Sequence, residues 1–268
     1  MSRAGGIPAL AFSSKIAYLT PMSTKQDALH TRPIITTGRL ATRMNEDEQA
    51  ELHTRLQPYL LKPEDLATSA AIEVELGIGN GQALYARAAA NPFGLYIGSE
   101  IYLNGLRSLI GQLEANPLPN LRIYPHDGRT LFENNKLAPA SLARVLILFP
   151  DPWPKSSHHK RRIVQPELVT RITTALKTNG ELWVVSDWPS YAYHAIATLH
   201  PVKGLKLAPV DLAAADCKPS ARLSEDGSAA IGPHLLENAP SWWQPTKYQE
   251  KAAIAGRNPW FIKAVKTA

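Results

Sequence analysis

IEVELGIGNG, residues 72–81, joins an apolar, β-rich run directly to a turn that contains Gly77, Gly79 and Gly81. A glycine turn of this kind lets a ligand approach the backbone closely, and it points the N–H groups of the following helix at that ligand. The spacing is G-x-G-x-G, whereas a dinucleotide-binding turn prefers G-x-G-x-x-G. The stretch therefore predicts a strand, a ligand-binding turn and a helix, and it favours a ligand other than NAD.

Apolar β-rich runs alternate with helical patterns from residue 71 to residue 188, which is typical of a parallel α/β sheet. The runs are AIEVELGI (71–78), LYIGSEI (95–101), LRIYPHD (121–127), LARVLILF (142–149) and ELWVVSD (181–187). Near the end of the chain, NPWFIKAVK (258–266) also has strand character. We predict an α/β fold with a doubly wound, mostly parallel sheet, which the last run completes as an antiparallel edge strand.

Two of the predicted helices have an apolar face. The first covers residues 102–115, and the second begins at Pro166 and ends at Asn179-Gly180. The apolar positions are Leu106, Ile110 and Leu113 in the first helix and Leu168, Ile172 and Leu176 in the second. Because these positions recur at helical spacing, both helices are expected to pack on the sheet.

The composition restricts the function classes. The chain has 268 residues, a net charge of +6 and a pI near 9.4, which permits a polyanionic partner. The single Cys217 excludes an intrachain disulfide, fits a reducing compartment and disfavours thiolate chemistry. No apolar run reaches the roughly 18 residues of a membrane-spanning helix. We therefore predict a soluble, cytoplasmic monomer or homodimer with no membrane partner.

Two segments stand outside the alternating pattern. Residues 1–45 carry more basic than acidic groups and little periodicity, so they are predicted to be a disordered basic arm. Residues 46–268 are predicted to form one domain. Within it, residues 208–241 contain several Pro, Gly, Ser and Ala residues and predict a loop-like insertion.

Three acids follow successive strands of the predicted sheet: Glu75 lies at the first, Glu100 at the second and Asp127 at the third. Ligands of open α/β sheets bind outside the carboxyl ends of the strands, so we expect these side chains to converge on one crevice. A carboxylate after the second strand can accept both hydroxyls of a ribose, and an acid at the glycine turn can meet a cationic amino-acid head. Together they suit S-adenosyl-L-methionine, which has an ammonium and a sulfonium but no phosphate.

Each acid taken singly also fits a structural role. Glu75 could cap a neighbouring turn, Glu100 could pair with Arg107, and Asp127 could hold the turn HDGR at 126–129. Their joint position after three neighbouring strands favours the cofactor interpretation.

FPDPWPKSSHHKRR, residues 149–162, follows the fourth strand. Pro150 ends the ladder, and Pro152 restricts Asp151 to extended conformations, so the carboxylate is presented stiffly at the same crevice. Trp153 can pack against a planar base or against the scaffold. The residues predicted to contact phosphates are Lys155, His158, His159, Lys160, Arg161 and Arg162. No metal site is predicted, because the adjacent histidines lack a matching Cys or His pair.

The chain resembles the bacterial-type tRNA (guanine-N7-)-methyltransferases. The matching segments are VELGIGNG (74–81), IGSE (97–100), HDGR (126–129), FPDPWPK and HHKRRIVQPE within 149–167, VVSDW (184–188) and PTKYQ (245–249). The resemblance implies a class I, Rossmann-like methyltransferase domain. It also implies the use of S-adenosyl-L-methionine on a variable-loop guanine of tRNA.

The resemblance also implies residue roles. Cofactor contacts are expected at Glu75, Gly77, Gly79, Gly81, Glu100, Asp127 and Asp151, with Asp151 also the active-site acid. Contacts with tRNA are expected at Lys155, His158, His159, Lys160, Arg161, Arg162, Asp187, Thr246, Lys247, Tyr248 and Gln249. Ser156 and Ser157 stand where the family usually has basic residues, and Gln249 stands where it usually has Glu.

Guanine N7 carries an in-plane lone pair and no proton, so methyl transfer to it needs no general base. We therefore assign Asp151 and Asp187 electrostatic and positioning roles. Asp-Pro-Trp also resembles the Asp-Pro-Pro-aromatic loop of methyltransferases that act on the exocyclic amine of adenine, although the residue order differs. A non-catalytic tRNA-binding protein on the same scaffold is the third hypothesis, and an NAD oxidoreductase is the residual one.

Overall fold

The computed structural model describes residues 44–67, 70–208 and 239–268. In these ranges seven strands form one sheet in the order β3-β2-β1-β4-β5-β7-β6. The strands are β1 Ala71–Leu76, β2 Gly94–Ser99, β3 Leu121–Tyr124, β4 Leu142–Leu148, β5 Leu176–Ser186, β6 Leu205–Leu207 and β7 Trp260–Lys266. Strands β1 to β5 are parallel, and β7 is antiparallel to both of its neighbours. The predicted α/β fold with a doubly wound, mostly parallel sheet is confirmed.

Helices cover both faces of the sheet. They are α1 Glu46–Leu56, α2 Gln82–Ala90, α3 Leu103–Ala115, α4 Pro166–Ala175, α5 Pro189–Leu199 and α6 Lys247–Ile254. One apolar cluster joins α1, α2 and α3 to β2 and β3, and another joins α4 and α5 to β1, β4 and β5. The sequence did not predict α1, which begins with a capping box between Asn45 and Glu48 and buries Leu52 and Leu56.

The predicted end of the second helix was wrong. Helix α4 ends at Ala175, and Asn179 and Gly180 lie inside β5. Leu176 is buried as predicted, but it belongs to β5, where it pairs with Leu142. Asn-Gly marks an irregularity in the strand here, with a register shift in β4 opposite it and a φ of 65° at Asn179. The dipeptide Asn-Gly is found at helix ends, in turns and in bulges, so its presence alone does not distinguish these three structures.

The antiparallel strand predicted at 258–266 is present as β7. It pairs with β5 on one side and with the three-residue β6 on the other, so β6 takes the edge position. The predicted arm, 1–45, and the predicted insertion, 208–241, lie almost wholly outside the described residues. Within the described part of the chain, no helix is long and apolar enough to cross a membrane.

Candidate active site

The glycine turn after β1 is tied to the end of β2. The backbone N–H groups of Gly77 and Ile78 donate to the Ser99 carbonyl at 2.9 and 3.1 Å. The N–H of Gly79 donates to the Glu100 carboxylate at 2.7 Å. All three glycines of the turn have positive φ, between 57° and 77°, which a side chain would disfavour. Two neighbouring strand ends therefore form one rigid wall of the crevice.

Helix α3 packs against this turn at Gly105. A Cβ at Gly105 would clash with the carbonyl oxygen of Gly79, whereas a Cβ at Gly111, in the same helix, would meet nothing within 4 Å. We expect Gly105→Ala to displace the glycine turn and to weaken binding of the predicted cofactor, S-adenosyl-L-methionine, at least about tenfold, roughly 1.4 kcal/mol. Calorimetric titration with S-adenosylhomocysteine measures this effect.

Gly111→Ala is the matched control for that substitution. Alanine is favoured over glycine in a helix by roughly 0.5–1 kcal/mol, so the control is expected to melt at an equal or higher temperature and to bind the cofactor normally. Equal cofactor affinity in the two variants would contradict the role assigned to Gly105.

The Glu100 carboxylate organises the end of β2. One oxygen accepts from Gly79, and the other accepts from the N–H groups of Ile101 and Tyr102, both at 2.8 Å. Burial raises the pKa of Glu100, and the negative charge of Asp151 also raises it, although the three N–H donors oppose the shift. An ionised carboxylate offers about four acceptor sites, so about one remains for a ligand. Arg107, considered above as a partner of Glu100, pairs with Glu48 instead.

Glu75 lies beneath the glycine turn and is only 3% exposed. Its carboxylate is ion-paired with Arg87 of α2, whose Nε also donates to Glu73 at 2.7 Å. Burial raises the pKa of Glu75 in spite of this ion pair, and the charge of Glu100 adds to the rise. The contact between Arg87 and these glutamates was not predicted from the sequence. Two glutamates on the same face of β1, opposite a basic residue in the following helix, were the signal for it.

Asp151 lies on a strained turn after β4. Phe149 and Trp153 on either side of it have φ of 48° and 41°, in the left-handed region that non-glycine residues rarely adopt. The N–H of Phe149 donates to the carbonyl of Val185 at 2.8 Å, which holds the turn to β5. Such conformations persist only when the surrounding structure holds them, and they cluster at functional sites.

Among the described residues, no side chain forms a hydrogen bond or an ion pair with the Asp151 carboxylate. Neighbouring groups shield it partly from solvent, and this burial raises its pKa. Its charge contributes to the raised pKa values of Glu100, Tyr191 and Tyr248. The structure thus brings Glu75, Glu100 and Asp151 into one electrostatic neighbourhood, and of these three carboxylates only Asp151 is left without a partner there.

Asp127 lies after β3 and has a local partner. Its carboxylate caps the short helical turn Gly128–Phe132 and accepts from the backbone and the guanidinium of Arg129. Burial would raise the pKa of Asp127, but the hydrogen bonds from Arg129 outweigh it and lower the pKa overall. Gly128 packs against Ser99 at the end of β2, which places this turn beside the crevice. Asp127 therefore holds the turn at 126–129, and its contact with the cofactor stays a prediction.

Helix α6 places Tyr248 next to the glycine turn. A Cβ on Gly79 would stand 3.3 Å from the Tyr248 ring, and the same ring stacks on Phe149 at a centroid distance of 6.4 Å. Tyr248 is still 51% exposed. Burial raises its pKa, and the charges of Glu100 and Asp151 add to the rise. An aromatic face therefore borders the crevice next to Gly79 and Phe149.

Two other residues of the PTKYQ segment hold α6 in place. The Thr246 hydroxyl accepts from the N–H of Gln249 at 3.1 Å and caps the helix. The Gln249 side-chain oxygen accepts from the Trp243 indole N–H at 2.8 Å. Lys247 is exposed. The Gln249 contact needs only an acceptor oxygen, which the usual Glu of the family would also provide.

Asp187, at the end of β5, is buried and ion-paired with Arg257, whose Nε lies 2.7 Å from the carboxylate. The Arg257 guanidinium also lies 5.3 Å from the centre of the Trp188 ring. The ion pair ties the segment after α6 to the sheet. The contact with Arg257 was not predicted from the sequence, since Asp187 and Arg257 are seventy positions apart in the chain.

The basic loop has an outer and an inner side. Lys155, Lys160 and Arg161 are exposed, and the Arg161 guanidinium lies 4.9 Å from the centre of the Trp153 ring. His158 meets the edge of the same ring, with centroids 5.6 Å apart. Arg162 and His159 instead form a hydrogen bond with each other on the inner side of the loop. The outer cations form a rim next to Asp151 that suits a phosphate backbone.

The described residues include no group of three or more His, Cys, Asp or Glu side chains that could hold a metal ion. The donor set suits a different ligand, because carboxylates can meet an ammonium group and ribose hydroxyls while a glycine turn admits a close approach. An aromatic and cationic rim next to that crevice suits a base attached to a phosphate chain.

Comparisons with known proteins show what the chain is similar to. A family model described as "Putative methyltransferase" matches residues 69–225. The tRNA (guanine-N(7)-)-methyltransferase of Alcanivorax borkumensis is 33% identical over 210 residues, 78% of this chain and 78% of the relative. The enzyme of the same name from Paramagnetospirillum magneticum is 35% identical over 211 residues, 78% and 76% of the two chains. The solved 16S rRNA methyltransferase KamB is 13% identical at a TM-score of 0.46, covering 86% of this chain and 98% of that one.

Proposed function

Since this chain belongs to the tRNA (guanine-N7-)-methyltransferase family, we propose that it transfers a methyl group from S-adenosyl-L-methionine to N7 of a variable-loop guanine in tRNA. The product is 7-methylguanine. The observation that carries the proposal is the Asp151 carboxylate, which has no partner among the described residues and lies on a strained turn beside Glu100.

The residues of the crevice fit the cofactor. The glycine turn and Glu100 would border its ribose, and Glu75, held by Arg87, would lie nearest the amino-acid head. When bound, S-adenosyl-L-methionine supplies an electrophilic methyl group on a sulfonium. Beside Glu100, Asp151 adds negative charge to the crevice, which favours a cationic ligand.

Asp151 and the aromatic side chains beside it would position the guanine. N7 attacks through its own lone pair, so no side chain has to remove a proton in the transfer step. A carboxylate can accept hydrogen bonds from guanine N1 and N2, and these bonds strengthen as the ring gains positive charge. Orientation by the fixed turn also contributes, because well-oriented intramolecular reactions gain roughly 7–11 kcal/mol in the best cases.

Incubation of the protein with methyl-labelled S-adenosyl-L-methionine and an unmodified tRNA transcript tests the proposal. We expect label to enter the tRNA. A matched transcript in which the variable-loop guanine is replaced by adenosine is expected to accept almost none. Equal labelling of both transcripts would refute the proposed target, and an absence of cofactor binding at millimolar concentration would favour a non-catalytic tRNA-binding protein.

A further inference from the structure

Arg162 is the last residue of the basic run HHKRR, yet its side chain is only 2% exposed. No carboxylate in the described ranges forms an ion pair with it. A buried guanidinium without a counter-ion is costly unless its N–H donors find acceptors. The acceptors of Arg162 therefore indicate why this cation is kept inside the protein.

The Arg162 guanidinium joins three parts of the site. Its Nε donates to the carbonyl of Pro152 at 3.0 Å, in the turn that carries Asp151. Its Nη1 donates to the carbonyl of Ser190 at 3.2 Å, in the first turn of α5. Its Nη2 lies 3.0 Å from Nε2 of His159, in the basic loop. The planar cation also lies over the buried ring of Tyr191, 5.3 Å from its centre.

The bond to Pro152 falls at the strained part of the turn. Pro152 stands between Asp151 and Trp153, and Trp153 has a positive φ. On the strand side, the turn is held by the hydrogen bond between Phe149 and Val185. Arg162 supplies the second support, from the side of α5.

We infer that Arg162 is a positioning residue, which holds the turn that presents Asp151 and the inner side of the basic loop. It touches neither the cofactor nor the tRNA. Lys160 and Arg161, on the outer side of the same loop, are left to contact phosphates. The inference rests on the proposed function, and it replaces the tRNA contact that the sequence predicted for Arg162.

A phosphate contact and a positioning role differ in their salt dependence. Each phosphate neutralised by a cation changes the slope of log K against log salt by about 0.7–0.9. A positioning residue leaves that slope unchanged and lowers kcat. The two roles also differ in the effect of an arginine-to-lysine substitution. Lysine keeps the positive charge, which is enough for a phosphate contact, but it lacks the planar set of donors with which arginine reaches several acceptors.

The test compares Arg162→Gln and Arg162→Lys with Arg161→Gln and Arg161→Lys in the full chain. Both Arg162 variants are expected to lower kcat at least about tenfold, with KM for tRNA within about threefold and the wild-type salt slope of tRNA binding. Arg161→Gln is expected to raise KM and to reduce the magnitude of the slope by about 0.7–0.9, and Arg161→Lys to restore both. A normal kcat in Arg162→Lys, or a smaller slope in Arg162→Gln, would overturn the inference.

Circular dichroism and thermal melting establish first that each variant folds. If Arg162→Gln does not fold, Arg162→Lys decides, since only the positioning role predicts a low kcat for a variant that keeps the charge. If the wild-type protein methylates no tRNA, the proposed function fails separately. The salt slopes then decide the inference: an unchanged slope in Arg162→Gln beside a reduced slope in Arg161→Gln supports it, and equal reductions overturn it.

Discussion

Asp151→Asn is expected to lower kcat/KM for tRNA methylation at least about 100-fold while leaving the protein folded. The substitution keeps the size and shape of the side chain and removes its charge. The carboxylate has no partner among the described residues, so its loss breaks no contact of the scaffold there. Removal of one group that stabilises developing charge in an active site typically costs about 100- to 1,000-fold. Initial rates with labelled cofactor measure the effect.

The melting temperature distinguishes this electrostatic role of Asp151 from a structural role. Partial desolvation raises the pKa of Asp151, so its ionised form costs the folded state free energy at neutral pH. That cost begins to fall as the pH drops below the raised pKa and is gone below the ordinary pKa of an aspartate. The neutral amide lacks this cost, so the melting temperature of Asp151→Asn at pH 7 is expected to equal or exceed that of the wild type. Asp47→Asn, in the exposed first turn of α1, is the control and is expected to keep full activity. A lower melting temperature with normal kcat/KM would assign Asp151 to the scaffold.

Glu100→Ala is expected to weaken cofactor binding at least about 100-fold, roughly 2.7 kcal/mol. The carboxylate holds three backbone N–H groups, those of Gly79, Ile101 and Tyr102. A hydrogen bond to a charged group contributes about 1.5–3 kcal/mol, so its removal frees the glycine turn as well as removing the predicted ribose contact. Calorimetric titration with S-adenosylhomocysteine gives the affinity.

The control for this variant is Glu114→Ala. Glu114 lies in α3 and pairs with Arg55 of α1 at the surface, away from the glycine turn. We expect its loss to leave cofactor affinity within about twofold, since an exposed ion pair contributes about 0.2–1 kcal/mol to stability and nothing to the crevice. If Glu100→Ala bound the cofactor as tightly as Glu114→Ala, Glu100 would not organise the site.

The parallel part of the sheet was predictable because each of its strands is an apolar run bounded by turn residues. The elements that were not predicted are either too short to show a pattern or have residues that fit two kinds of element. Strand β6 has only three residues, Leu205–Leu207, too few to show a pattern. Leu176 continues the helical spacing of α4 but is equally buried as the first residue of β5, so burial alone did not separate the two.

For the site, the positions of Glu100 and Asp151 followed from their place at the strand ends, which parallel topology brings to one edge. Their partners did not follow, because a hydrogen bond between distant residues depends on tertiary packing. Arg87 and Arg162 are engaged on the inside of the protein, and the partly exposed Arg257 pairs with the buried Asp187, yet in the sequence all three look like ordinary surface cations. Periodicity in the run HHKRR does not reveal which of its members point inward.

The most direct test of the central claim is the identity of the methylated position. Methylation at N7 leaves a cationic guanine, which borohydride reduces, and aniline then cleaves the RNA strand at the reduced base. Methylation of an exocyclic amine leaves a base that resists this treatment, so the strand stays intact. After incubation of wild-type protein with cofactor and an unmodified tRNA transcript, we expect strand cleavage at one guanine of the variable loop, and none with Asp151→Asn. Methyl incorporation without cleavage, or cleavage at another part of the tRNA, would contradict the account.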